Sequence, residues 1–351
     1  RMNLRFLHGN PVVGIDVEGY PKFGDLRVQE PEVGAELLRN IKFSENGAFE
    51  TELDQQKYIV EAFDEPLVAQ MVDFKNAQWI IILPYDVKMV FDLHSLTVDE
   101  WDRFHGLTST GIPFVLSNKA QAHFFNLVDE FDDDSITWNG IQVTIPPWFV
   151  PRVDLQEEKY WTNVYQTENP GWELNQPSPA FIEYVPKLKL PKSRVLVLGC
   201  GSGNDAALFA QAGHIVTAVD FSAEAIERGQ KKYSEFKNIR WVQADIFKLE
   251  STYYQAYDIV VEHTCFCAID PARRSELVKL WNRVLVPGGF LLGVFFLLER
   301  RSGPPFGSTE WELRERLKKY FQFSYWNRFR SSIQKRNGKE LFIYANKFSG
   351  N

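Results

Sequence analysis

The sequence predicts an α/β protein: a Rossmann-like, doubly wound, mostly parallel sheet with an antiparallel C-terminal hairpin, preceded by an α+β domain. Three observations carry that prediction. From about residue 190, apolar strand-like runs alternate with helical patterns, the rhythm of βαβ units whose sheet is covered on both faces. The first of these runs ends in glycines at alternate positions, VLVLGCGSGND from Val195 to Asp205. Before residue 150 the pattern is different, with short apolar runs set between polar or glycine-bearing turns.

In chain order, the first part offers the strand-like runs VVGIDV, QKYIVEAF, WIIILP and ITWNGIQVTI, with the helical stretches PEVGAELLRNI and NKAQAHFFNLVDEF among them. Proline and charge then cluster in PPWFVPRVDLQEEK, residues 146–159. A boundary is expected there, with residues 1–150 as an α+β module of unassigned role and 151–351 as a second domain opened by a lid segment, 151–190. Within the second domain the expected strands are 194–199, 215–220, 239–245, 257–263 and 289–298. The helices NDAALFAQAG, SAEAIERGQKKYSEF and PARRSELVKLWNRVL fall between them, and strands at 321–332 and 339–348 are joined through the turn-forming RNGK.

Composition narrows the partners. A chain of 351 residues, 44% apolar and 15% aromatic, can bury a large core and favours two domains over one. Its net charge of −7, from 46 acidic and 39 basic residues without a long like-charge block, argues against a nucleic-acid backbone or an anionic membrane and leaves a small molecule as the expected partner. No basic-apolar leader and no run of 18 apolar residues is present, and Arg1 ahead of Met2 reads as an appended residue. Cys200, Cys265 and Cys267 lack zinc spacing, so no metal and a reducing, cytoplasmic setting are expected. The pattern carries no signal for oligomeric state.

A glycine loop after the first strand of a parallel sheet lies where ligands bind, beyond the carboxyl ends of the strands. Missing side chains let backbone approach a ligand, and the next helix presents free N–H groups. A dinucleotide fingerprint wants its third glycine where Asn204 stands; here Gly199, Gly201 and Gly203 make the GxGxG spacing of S-adenosyl-L-methionine (SAM) dependent methyltransferases. Asp205 in the first helical turn suits an ammonium better than a pyrophosphate. Asp220 ends the second strand, where a carboxylate accepts from ribose hydroxyls, and Phe221 follows it in the same cofactor set. Asp245 ends the expected third strand, where methyltransferases commonly place an acid against the adenine amino group, and Ile246 would then pack on the ring.

From about Tyr160 to Lys347 the chain resembles the thiopurine S-methyltransferase family with its thiol and halide methyltransferase relatives. Four stretches carry the resemblance: YWTNVYQTENPGWELNQPSP (160–179), VLGCGSGND with Leu198 where generic methyltransferases place an acid, EHTCFCAIDPARR (262–274) and SGPPFG (302–307). The resemblance implies cofactor-binding roles for Trp161, Trp172 and Leu198, whose aromatic pair suits a sulfonium cation. It extends the cofactor set to Glu262 and places Arg274, Phe266 and His263 near the substrate. Arg273 departs from the family pattern and alters the expected charge there. Asp270 and Pro271 read as N-cap and first residue of the helix that bears Arg274.

Methyl transfer to a soft nucleophile such as a thiol, sulfide, selenium or tellurium species, or halide needs alignment and dryness more than a base. No catalytic dyad is evident, and no catalytic residue is assigned. His263 reads as a proton acceptor or as a packed strand-end histidine, Cys265 and Cys267 as buried packing. The 160–179 segment reads as a lid, and SGPPFG closes the opposite rim. EAFDEPLVAQ (61–70) reads as a solvated face, since no histidine in it completes a metal set. The competing class is a SAM-binding sensor that signals through the N-terminal module; a dinucleotide oxidoreductase is disfavoured by Asn204.

Overall fold

The computed structural model describes residues 5–7, 9–45, 47–167 and 170–349. Arg1 and Met2, and Glu168 and Asn169 of the expected lid, lie outside the described residues. The chain divides into two compact units, Arg1–Val150 with Thr309–Trp311, and Pro151–Ser308 with Glu312–Asn351.

Strands dominate the first unit. A seven-stranded sheet includes Asn10–Ile15 paired in parallel with Gln56–Ala62, and sheets of three, four and three strands accompany it. Helices cover Pro31–Arg39 and Asn118–Phe125. The second stops six residues short of the predicted stretch because Asp129 N–H donates to Thr137 O and Glu130–Phe131 become a strand. ITWNGIQVTI is not one run but the hairpin Ser135–Trp138 and Ile141–Thr144, turned by Asn139 and Gly140 at φ 47° and 70°, the left-handed pair that a two-residue hairpin demands.

The solvated face expected for EAFDEPLVAQ does not form. Asp64 and Glu65 are buried: Arg103 donates to Asp64 at 2.6 Å and to Asp99 at 2.9 Å, while His105 bridges Glu65 at 3.0 Å and Asp99 at 2.9 Å. The histidine that the stretch itself lacks arrives from a strand forty residues away. Its ring stacks on Trp148 at 4.2 Å.

In the second unit, strands β1 (Arg194–Leu198), β2 (Ile215–Asp220), β3 (Ile239–Gln243), β4 (Tyr257–His263), β5 (Leu285–Phe296), β6 (Phe321–Phe329) and β7 (Glu340–Lys347) form one sheet. Its order is β3-β2-β1-β4-β5-β7-β6; the first five strands are parallel, and β7 runs antiparallel to both β5 and β6. The alternation of β1 explains its double burial. Val195 and Val197 face a core with Phe181 and Phe209, and Leu196 and Leu198 face one with Leu277 and Trp281.

Helices α1 (Glu158–Thr167), α2 (Pro179–Leu188), α3 (Asn204–Gln211), α4 (Ala223–Lys232) and α5 (Arg274–Val284) flank this sheet in sequence. Strand β5 starts four residues before its predicted position, and a register irregularity against β4 absorbs the Pro-Gly-Gly stretch. Asp270 caps a short 3-10 turn, Pro271–Arg273, rather than α5 itself, accepting from Ala272 N–H at 3.0 Å. Among the described residues no helix is long and apolar enough to cross a membrane.

Candidate active site at the carboxyl edge of the sheet

Strand order reverses between β1 and β4, and a cavity of about 470 Å³ opens beyond their carboxyl ends. Its floor is the glycine loop. Gly199, Gly201 and Gly203 all have positive φ (62°, 54° and 79°), so the backbone itself requires glycine there. A side chain on Gly201 would meet the Tyr165 hydroxyl at 2.8 Å, and one on Gly199 would meet the Cys265 sulfur at 2.7 Å. Gly203 lies beneath the loop against Trp241 and lets α3 pack, outside the cavity lining.

Asp220 ends β2 with its carboxylate already oriented. Gly201 N–H donates to one oxygen at 2.8 Å and Ser222 N–H to the other at 2.9 Å. Burial raises its pKa from the carboxylate range, against those backbone donors. Each oxygen keeps a second lone pair for a hydroxyl ligand. Phe221, Asp245, Ile246 and Phe247 continue the wall, and Asp245 accepts from Phe247 N–H at 3.0 Å. The Arg273 guanidinium lies 3.6 Å over the Phe247 ring, so the residue that departs from the family pattern stands on the cavity wall.

The segment before the first strand supplies the aromatic side. Helix α1 carries Trp161 and Tyr165, and Trp172 follows it; the two indoles meet edge-on with centroids 6.1 Å apart. Trp161 Nε1–H donates to Leu155 O at 2.9 Å, and Trp172 Nε1–H to the Tyr165 hydroxyl at 3.2 Å. Glu173 accepts from Ser202 Oγ at 2.7 Å and from Asn204 Nδ2, binding this segment to the glycine loop. Burial holds the Tyr165 phenol well above its ordinary pKa, so it stays protonated.

His263, at the end of β4, lines the cavity with both ring nitrogens engaged. Nδ1 lies 2.7 Å from Asp205 Oδ2, and Nε2 lies 2.9 Å from Arg336 Nη1. Burial opposes its charged form, but Asp205 outweighs that and raises its pKa from the usual imidazole value. Cys200, Cys265 and Cys267 also line the cavity. Burial pushes all three thiols up, Cys267 to about 12, so none is a thiolate at neutral pH.

Besides Gly203, four predicted residues lie off the cavity lining. Leu198 packs in the core under the loop. Glu262 is buried, with Oε1 accepting from Phe266 N–H at 2.8 Å and Oε2 lacking a hydrogen-bond partner. Phe266 sits in the core against Trp281 and Phe295. Arg274, expected beside the substrate, is fully buried; its guanidinium pairs with Glu312 at 3.0 Å, donates to Gly307 O and stacks 4.4 Å over Phe266. A helix position facing the core and a carboxylate from a later helix draw it inward. Conversely, Tyr165, Glu173, Asn204, Asp205 and Arg336 line the cavity without having been assigned to it. Tyr165 lies four residues after Trp161 on the same helix face, a spacing that marks it. Arg336 had no signal beyond its turn. Among the described residues no group of three or more His, Cys, Asp and Glu is arranged to hold a metal.

The model of the thiopurine S-methyltransferase family matches residues 156–346, more than half of the chain. The chain belongs to the thiopurine S-methyltransferase family. It is similar to a probable thiol methyltransferase 2 of Arabidopsis thaliana, 32% identical over 148 residues that span 41% of this chain and 65% of that protein. A thiocyanate methyltransferase 1 of Brassica oleracea is 28% identical over 174 residues, 48% of this chain and 76% of that one. The 1,6-didemethyltoxoflavin-N1-methyltransferase of Burkholderia thailandensis aligns at a TM-score of 0.48 and 20% identity, covering 63% of this chain and 99% of that structure.

The cofactor of a methyltransferase of this family is S-adenosyl-L-methionine, and the residues present fit it. The glycine loop leaves room for close backbone approach, Asp220 ends β2 and Asp245 follows the end of β3 by two residues, both with acceptor oxygens on the cavity wall, and Trp161 and Trp172 offer aromatic faces of the kind that screens a sulfonium from water.

Proposed function

We propose that the chain moves a methyl group from SAM to a small soft nucleophile, a thiol, sulfide, selenium or tellurium species or halide, by in-line displacement. One observation supports it most directly: beside the cofactor residues the cavity continues between Cys265, Cys267, Ile269, Phe296, Pro304 and Pro305, a largely apolar wall whose thiols are protonated and whose Asp270 is taken up by the N–H groups of Ala272 and Arg152. The relatives named for thiol and thiocyanate methylation support the same acceptor class.

Bound SAM supplies an electrophilic methyl carbon. In this reading Asp220 takes the ribose hydroxyls, Asp245 and Ile246 the adenine, and Trp161 and Trp172 screen the sulfonium. Phe221 completes that wall; Glu262, Phe266 and Leu198 shape the site from beneath, and Arg274 braces the 302–307 loop through Gly307 O. The chain's task is then to hold the acceptor about 3 to 3.5 Å from the methyl carbon, aligned and dry. An acceptor that arrives as an anion, or ionises readily, requires no residue to remove a proton.

Residues 1–150 are read as a separate α+β module with no assigned chemistry. The three free cysteines support a reducing, cytoplasmic setting, and the net acidic charge supports a small-molecule acceptor over a nucleic acid or membrane surface. A sealed-vial assay with SAM and sulfide, small thiols, thiopurine, selenite, tellurite, thiocyanate and iodide tests the proposal. S-adenosylhomocysteine with a methylated headspace product from one of them supports it. SAM binding without turnover across the panel refutes the acceptor class.

A further inference from the structure

We propose that His263 and Arg336 are positioning residues that fasten the aromatic segment 171–178 over the cofactor, rather than groups that act on the acceptor. The inference rests on reading the cavity as the SAM site. Four contacts carry it. Arg336 Nη2–H donates to the Trp172 carbonyl at 2.8 Å, and Nη1 lies 2.9 Å from His263 Nε2. His263 Nδ1 meets Asp205 Oδ2 at 2.7 Å, and the other oxygen, Oδ1, accepts from Ser178 N–H at 2.8 Å.

The result is a chain of charge-assisted bonds, Trp172 to Arg336 to His263 to Asp205 to Ser178, whose two ends are the two ends of the segment. Between those ends lie Glu173, Leu174 and Gln176, all on the cavity wall. The imidazole is the middle link: its two nitrogens join the first turn of α3 to the β6–β7 turn. A guanidinium can only donate, so Nε2 accepts from Arg336 while Nδ1–H donates to Asp205; the pull of that carboxylate toward the imidazolium is opposed by the guanidinium. Neither nitrogen is then open to take a proton from an acceptor.

Arg336 is itself buried and held by Glu340, 3.5 Å away at the start of β7. Asp205, Arg336, Glu340 and the neighbouring Glu262 are the charged groups about this imidazole. The guanidinium is thus fixed from the sheet side and presents its remaining direction to the lid backbone. A fixed donor that meets a carbonyl in the segment orders that segment without any side chain of it being specialised for the task. With both nitrogens engaged, His263 serves the segment and not the acceptor.

The test is a double-mutant cycle on SAM affinity by calorimetry, with kcat and the KM of both substrates measured alongside. His263→Leu and Arg336→Met are each expected to weaken SAM binding about tenfold, as loss of a charge-assisted hydrogen bond does. The double variant is expected to be no worse than the weaker single, because both changes break one chain. kcat at saturating SAM and the KM of the acceptor change less than threefold. Arg336→Met strands Glu340, so Arg336→Gln with Glu340→Gln supplies a second variant if the first does not fold. In it, backbone hydrogen exchange across 171–178 should speed up while that of β1 does not.

Additive losses would overturn the inference, as would unchanged SAM affinity with the defect confined to the acceptor KM, which would put Arg336 on the acceptor instead. Wild-type protein that binds no SAM would sink the reading of the cavity and this inference with it. Wild-type binding that the variants leave intact would sink this inference alone.

Discussion

Glu262→Gln is expected to stabilise the protein at alkaline pH and to flatten its stability against pH. In the folded chain Glu262 is 1% exposed, accepts from Phe266 N–H at Oε1 and leaves Oε2 unpartnered. Burial therefore raises its pKa from 4.5 to about 7, with the backbone donor and His263 opposing only in part. The unfolded chain releases this proton near pH 4.5, while the folded chain keeps it until about pH 7. Over that window the folded state binds more protons, so stability falls as pH rises.

At 1.36 kcal/mol per unit the displacement amounts to about 3 kcal/mol lost between pH 4.5 and pH 7. Glutamine keeps an acceptor for Phe266 N–H and carries no charge to bury. Urea unfolding of wild type and variant from pH 4.5 to 8.5 reads the difference directly. The two curves should meet near pH 4.5 and separate by about 3 kcal/mol above pH 7.5, the variant being the more stable. Curves that run parallel over the whole range would refute the buried, proton-holding carboxyl.

Trp172→Ala should weaken SAM binding about tenfold in a titration through loss of an aromatic face, with unchanged affinity counting against its cofactor role. Gly201→Ala should abolish detectable SAM binding, because its φ of 54° and the Tyr165 hydroxyl both oppose a methyl group; Gly201→Ala with Tyr165→Phe would not restore it. In the first unit, Asp99→Asn takes a carboxylate from both Arg103 and His105 and should destabilise that unit by about 3 to 5 kcal/mol, seen as an earlier urea transition. Asp99 is held below the usual carboxylate range: burial opposes this, and the bond from His105 and the charge of Arg103 outweigh it.

The parallel sheet was legible because its strands are buried on both faces and read as unbroken apolar runs; β2 and β4 fall on their predicted bounds. The glycine loop and Asp220 reach the cavity because each is fixed by position at a strand end, a local relation that spacing preserves; Asp245 reaches it two residues beyond β3, which stops at Gln243 and short of its predicted bound. Arg274 lies off the cavity, in the core, for the opposite reason. Whether a first-turn arginine faces a ligand or the core depends on Glu312, and no local pattern records that partner. Arg336 and the His105 cluster were missed likewise: a histidine, three acids and an arginine become one network only when separate strands meet. Sequence spacing reports neighbours along an element, whereas tertiary contacts decide which polar groups share a burial.

Trp172 and the guanidinium that holds its carbonyl are 164 positions apart in the chain. During synthesis, at roughly 5 to 20 residues per second, the glycine loop and its first βα units can assemble well before residue 336 emerges. In that interval the segment can meet the glycine loop through Glu173 and Ser178, but the Trp172 carbonyl has no guanidinium to accept from. If that last bond matters to affinity, SAM should be held more tightly by the finished protein than by a chain still lacking its last hairpin.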